Sequence, residues 1–296
     1  VTPSRAFAPL DFMQLVAIAL IWGVNNVAAK VALNDMPPMF AVATRFALVL
    51  ALVGWRLQPI PKGKRRLFLA MLAAVGPIHF GVQYVGLKIA TDLAPMVVAM
   101  QLWAPASVLF AILLLKERAG VLRVAGVVIA FLGTAALAFD PVIFAQGGAL
   151  LMVMGAACSY GLGAVLVRMI GPGVDAWGMQ AWIAIACAPT LFVGSALFEG
   201  NLVRSALNAS WLSWACITFG AIVSSIVANA WMFRLVQKYE VSRTTPYLLM
   251  TPVISFALAG FVLGDDITWR LILGAAMTMS GVLLVALAER RFKALA

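Results

Sequence analysis

His79 is the only histidine in the chain, and Gln83 follows it four residues later. In a helix the two share one face, so an imidazole and an amide are offered together to a polar head group. An unperturbed imidazole changes charge at about pH 6.5, which makes His79 a possible proton carrier. Met96, Met100 and Trp103 recur at helical spacing, and Tyr247 with Met250 repeats that pattern in the second half of the chain. Flat rings and flexible thioethers suit an apolar ligand that varies in shape. Each feature also has a plain packing explanation: a histidine satisfied by a neighbouring carbonyl, and a stripe that fills a helix interface.

Further polar and aromatic candidates are Trp22, Asn25, Tyr160, Gln180, Trp182 and Asn229, with hydrogen bonding between helices as the competing use of the amides. Gly155, Ser159 and Gly163 form a small-residue stripe that reads as close helix packing. Arg45 stands alone inside an apolar run. It could attract a carboxylate or hold a loop or helix end, and the structural role is preferred. Trp55, Trp211 and Trp269 fall where interfacial anchors are expected.

Enzymatic signatures are missing. The sequence has no Gly-x-Ser-x-Gly elbow, no His-Glu-x-x-His and no P-loop. Neither an enzyme nor ATP-driven pumping by this chain is expected, and no ATPase subunit is implied. Cys158, Cys187 and Cys216 lie singly in apolar segments without a CxxC or Cys/His cluster, so no metal, cofactor or disulfide is expected. All acidic residues lie at or near the ends of apolar segments: Asp11, Asp35, Asp92, Glu117, Asp140, Asp175, Glu199, Glu240, Asp265, Asp266 and Glu289. A buried carboxylate is the usual device for trading protons or sodium and for holding cationic drugs. Without one, two energy modes remain, titration of His79 or downhill facilitation, and facilitation is preferred.

The elements that position these residues follow from composition. Of 296 residues 64% are hydrophobic and 11% charged, with mean hydropathy +1.03. A soluble domain carries about 25% charged residues, so this chain cannot cover a water-exposed surface. Its net charge of +10 is scattered between apolar segments, which favours a lipid bilayer over nucleic acid as the partner. Ten apolar segments are expected to cross as helices, approximately 10–33, 38–57, 67–88, 93–115, 120–139, 147–170, 175–198, 211–236, 242–263 and 268–288. Breaks are read at 34–38, 58–61, 116–118, 140–141 and 171–173, and near Thr91-Asp92. The first segment is too long for a signal-peptide core and is read as a retained span.

Sixteen of the 21 Lys and Arg residues fall on one set of segment ends and four on the other. That bias puts both termini in the cytoplasm, as does the even span count. The halves, 1–140 and 141–296, resemble one another. Trp22-Gly23 aligns with Tyr160-Gly161 and Lys30 with Arg168; Tyr84, Met100 and Pro105 align with Trp231, Tyr247 and Pro252. Glu117, Gly126 and Gly133 align with Asp265, Gly274 and Gly281. With five spans per half, the second enters inverted, an arrangement recurrent in secondary transporters, whose sites lie at the repeat interface.

Ile21-Trp22-Gly23-x-Asn25, Arg45-Phe46, Pro105 with Lys116-Glu117, and the glycine-spaced fifth and tenth segments resemble the drug/metabolite transporter superfamily in its ten-helix exporter branch. More narrowly the chain resembles YddG-type exporters of aromatic and other neutral amino acids. Asp265-Asp266 departs from the single Glu117 of the first half. The resemblance implies an all-α polytopic inner-membrane protein of two inverted five-helix repeats, exporting small neutral or zwitterionic metabolites. Its expected central cavity is lined by His79, Met100, Trp103, Tyr160, Trp182 and Tyr247, with Gln83 and Asn229. A broad drug or metabolite exporter is the transporter alternative, and a membrane-embedded enzyme using His79 the alternative of another class.

Overall fold

A computed structural model describes residues 8–116, 120–171, 174–239 and 247–295, with side chains 138, 233, 236–238 and 289–295 excluded. Among the described residues, eight helices are long and apolar enough to cross a membrane: α1 (Pro9–Ala32), α2 (Pro38–Arg56), α3 (Arg65–Ile89), α4 (Ala94–Leu115), α6 (Gly147–Ile170), α7 (Ala176–Phe198), α8 (Trp211–Met232) and α10 (Trp269–Ala288). Two shorter apolar helices, α5 (Val121–Ala136) and α9 (Met250–Leu263), lie between them. The chain is an all-α polytopic membrane protein. Helices satisfy their own backbone groups where no water can, which is why such apolar runs fold this way. The break near Thr91-Asp92 falls at Ala90–Leu93. Glu117, Arg118, Pro172, Gly173, Glu240, Arg243 and the start of the ninth predicted segment lie outside the described residues.

Lipid supplies little driving force for helix association, so close backbone approach matters. The α5/α10 seam shows this most clearly. A Cβ on Gly126 would sit 2.8 Å from the Gly281 carbonyl, and one on Gly281 would sit 2.4 Å from the Ala130 nitrogen. Thr134 and Thr278 exchange a 3.2 Å hydroxyl bond along the same seam. Gly161 of α6 lies against the α4 backbone at Trp103 and Ser107, and Gly23 of α1 lies against Ile254 and the Thr251 carbonyl of α9.

Carboxylates tie helix ends together. Glu199, after α7, accepts from the first amides of α2 at Met39 and Phe40, at 2.7 and 3.0 Å. Asp265 accepts from Ala94 at the start of α4, 2.7 Å. Asp35 accepts from the Ser210 amide and the Ser213 hydroxyl before and within α8, at 2.9 and 2.8 Å. On the N-terminal face Arg56 pairs with Asp175, and Arg234 with Asp11, both at 3.3 Å. These bonds satisfy orphan helix-end donors and favour the dipole.

Two predictions follow from the seam and the end ties. Gly281→Ala should lower the thermal midpoint of detergent-purified protein, at a cost of about 1–3 kcal/mol for overpacking. Gly155→Ala, where a Cβ meets nothing within 4 Å, should not lower it. The Ser210 hydroxyl and amide, with the Ser213 hydroxyl, hold the Asp35 carboxyl below the usual carboxylate range. A depressed folded pKa adds stability above the unfolded value and loses it as pH falls through the folded one. Asp35→Asn should therefore melt below wild type at neutral pH, and the two melts should converge as pH drops below about 4.

Candidate functional site

Among the described residues three of the crossing helices, α3, α4 and α8, are interrupted, and several candidate residues lie at the interruptions. In α3 a π-helical stretch covers Ala74–Ile78, with Pro77 inside it and Gly76 at φ −102°, ψ −108°. Proline has no N–H and cannot continue the ladder, so the backbone rearranges just before His79. In α4 the helix is regular over Ala94–Met100 and resumes at Trp103, ahead of Pro105. A turn at Leu249 interrupts the second half similarly, ahead of Pro252. In α8 a π-helical stretch, Gly220–Ala228, ends at Asn229.

Polar side chains converge on the α3 break. Ser159 donates to the Ala74 carbonyl at 2.8 Å. His79 Nδ1 donates to the Ala156 carbonyl at 2.8 Å. A carbonyl can only accept, so Nδ1 carries the proton, and in the neutral ring Nε2 is left as an acceptor. The His79 ring lies 4.8 Å from Tyr160 and 4.6 Å from Phe80, and Trp103 meets Tyr160 edge-on at 5.7 Å. Trp103 and Tyr160 keep 39% and 37% of their surface open. One turn along α3, the Gln83 amide contacts the Met100 sulfur at 3.3 Å. His79, Tyr160 and Trp103 are in contact where α3, α4 and α6 meet, and with the Gln83–Met100 pair one turn along α3 they make one candidate group. It offers aromatic faces, a thioether, an amide and an imidazole acceptor, enough to hold an apolar group and orient a polar one.

The other expected residues sit elsewhere. Trp182 donates its indole N–H to the Gln58 carbonyl at 2.8 Å and meets Phe68 edge-on at 5.6 Å, within a cluster of Phe68, Met71 and Leu72. Tyr247 packs edge-on against Phe12 at 5.6 Å, in a cluster with Leu15, Ile18 and Trp22. Asn229 and Gln180 line a crevice between α7 and α8, with Trp177 and Ser225. It encloses about 30 Å³, room for a water or two rather than a metabolite. Met96 is fully buried and Met250 is 39% exposed. Of the small-residue stripe, Gly163 packs against Val75 and Ser159 bonds Ala74, but Gly155 faces open space.

Several participants were not singled out from the sequence. Phe80, Tyr84 and Ser225 surround Arg45, and Asn26 donates to Ser255 at 3.0 Å between α1 and α9. Their spacing carries no motif. The only sequence signal was a hydroxyl or amide within an apolar run, and this chain has many.

The EamA-like transporter family model matches the chain twice, over residues 12–139 and 147–287. A Salmonella typhimurium protein described as "Probable amino-acid metabolite efflux pump" is 24% identical over 280 residues, covering 92% of this chain and 93% of its own length. An Escherichia coli protein of the same description is 24% identical over 282 residues, covering 92% and 93%. The Bacillus subtilis protein "Uncharacterized transporter YvbV" is 27% identical over 303 residues, covering 96% and 94%. A solved crystal structure superposes with a TM-score of 0.61 at 19% identity, over 94% of this chain and 97% of that one, which shows a shared fold.

Two tryptophans offer a test of which candidates belong to a site. Trp103→Ala should cost little stability, about 0.5–1.5 kcal/mol for one aromatic pair, while lowering transport strongly. Trp182→Ala should cost stability first, near the low end of about 3–5 kcal/mol for a large packed ring. Parallel melts and flux assays of the two variants check this. A silent Trp103→Ala in flux would make its stripe packing.

Proposed function

This chain belongs to the EamA-like transporter family, and from that premise we propose that it exports small neutral or zwitterionic metabolites, foremost amino acids with aromatic and other apolar side chains, by alternating access. As a family member it is a multi-pass membrane transporter of a small-molecule substrate rather than an enzyme. The finer reading is carried by one observation: half-open aromatic rings around a neutral-type polar group, His79 with Tyr160 and Trp103, at a break in a crossing helix. Discontinuous helices near mid-membrane are where carriers of inverted-repeat design bind substrate. The relatives named as amino-acid metabolite efflux pumps point to the same class and direction.

The proposed architecture is ten spans in two inverted five-helix repeats, 1–140 and 141–296, with both termini in the cytoplasm and the protein in the inner membrane. The double match of one family model supports the two repeats. So do paired packings: Gly23 on α9 answers Gly161 on α4, and Gly126 on Gly281 answers Gly274 on Gly133. The charge bias supports the orientation. The substrate site is read as the His79, Gln83, Met100, Trp103 and Tyr160 group, and the energy mode as downhill facilitation.

Purified protein in liposomes tests this. Labelled Phe, Met or Thr should exchange by counterflow without chemical change, and an imposed pH gradient alone should not drive accumulation. Flux of cationic drugs in place of amino acids would select the broad exporter. Uphill accumulation that survives His79→Gln would overturn both facilitation and histidine coupling.

A further inference from the structure

Arg45 is the one basic residue in the interior of an apolar segment, and it is only 6% exposed. A guanidinium always carries its charge and has five N–H donors in a fixed fork. Here Nε and Nη2 donate to the Ser225 hydroxyl at 3.2 and 2.9 Å, and Nη1 donates to the Tyr84 hydroxyl at 2.9 Å. The charge also lies 5.9 Å from the centre of the Phe80 ring. Among the described residues no carboxylate pairs with it, whereas Arg56 and Arg234 at the membrane faces each have an aspartate. A buried charge with only neutral acceptors is costly, and charged residues retained at membrane depth mark ligand pathways.

Its surroundings add direction. Residues from α2, α3 and α8 fix the fork. Ser225, the residue that occupies the guanidinium, also lines the small crevice between α7 and α8 beside Gln180 and Asn229. On the other side the Phe80 ring contacts both Arg45 and His79, and His79 contacts Tyr160. One aromatic ring therefore separates a fixed cation from the half-open aromatic group.

We infer that Arg45 is the carboxylate-binding residue of the carrier. The inference rests on the transport reading above and narrows its substrate to molecules bearing both a carboxylate and an apolar side chain. The incoming carboxylate displaces the Ser225 hydroxyl and takes the fork in a bidentate pair, with the side chain against Phe80 and the His79–Tyr160 group. The exchange replaces a neutral acceptor by an ionised one in fork-to-fork geometry, which adds the attraction of opposite charges to the hydrogen bonds the guanidinium already makes. An amine lacking the carboxylate gains nothing there and meets a like charge.

The test uses intact purified protein and three probes: 3-phenylpropionate, phenethylamine and phenylalanine. In wild type the two carboxylates should raise the thermal midpoint and phenethylamine should not. Arg45→Gln should weaken binding of both carboxylates about 10- to 100-fold, the range for a hydrogen bond to a charged group. Arg45→Lys, which keeps the charge and loses the fork, should fall between. Ser225→Ala, which removes the competing hydroxyl, should bind 3-phenylpropionate at least as well as wild type. The wild-type comparison stands even if Arg45→Gln folds poorly. Equal binding of phenethylamine and 3-phenylpropionate by wild type, no binding of either carboxylate, or an undiminished carboxylate preference in a folded Arg45→Gln protein would each overturn the assignment. Arg45-dependent binding of 3-phenylpropionate together with silent amino-acid counterflow would instead sink the transport reading and leave the carboxylate site standing.

Discussion

Inside a bilayer every backbone N–H and C=O must find its partner within the protein, and the rest of this structure follows from that constraint. Prolines at 77, 105 and 252 break the ladder inside crossing segments, and each break frees backbone groups that water cannot satisfy. At the α3 break the remedy is visible: Ser159 donates to the Ala74 carbonyl, and His79 donates to a carbonyl of α6. The polar side chains are there first because the fold requires them. Having been brought there, they are the polar groups available to a ligand in an otherwise apolar interior. The imidazole shows the double use, with one nitrogen committed to the fold and the other left open.

Rigidity and openness are distributed unevenly for the same reason. Where glycines allow backbone to touch backbone, as along α5 and α10, the helices are locked by contacts that even one added methyl group would disturb. Where helices are interrupted, as in α3 and α4, the rings of Trp103 and Tyr160 remain partly uncovered. A carrier that exposes its site to alternate sides needs both kinds of contact: a seam that does not yield, and interrupted helices that bend with little lost hydrogen bonding.

The fold was largely legible in the sequence, and which candidate residues come together only in part. Segment positions follow from apolar runs and from Pro, Gly and charge clusters, and the observed ends differ by a few residues. What a run of apolar residues cannot reveal is how the helix is rotated. In water an amphipathic stripe fixes that phase, but in lipid both faces are apolar. Trp182 and Tyr247 illustrate the loss: both lie in crossing segments, yet their rings turn to Phe68 and Phe12 rather than to Tyr160. Gly155 and Gly161 illustrate it again, since only the structure tells which of them faces a neighbouring helix. The charge of Arg45 stood out in its apolar run, but its partner Ser225 lies 180 residues away in a segment with no pattern to connect them.

The distribution of charge gives the interior a definite sign. Asp35, Asp175, Glu199 and Asp265 all serve helix ends, where backbone amides, and at Asp175 also Arg56, take up their oxygens. The described interior retains a guanidinium and neutral acceptors. In a medium of low dielectric such a charge is felt over several ångströms, since there is little water or salt to screen it. A multiply cationic drug entering between the helices would be opposed by that field throughout its passage. On the proposed assignment a zwitterion would experience it as a torque, turning its carboxylate toward Arg45 and its apolar side chain toward the aromatic rings beyond Phe80. One fixed charge would, on that assignment, select the class of substrate and orient each molecule of it, while the flexible Met100 and the flat rings would leave the side chain free to vary.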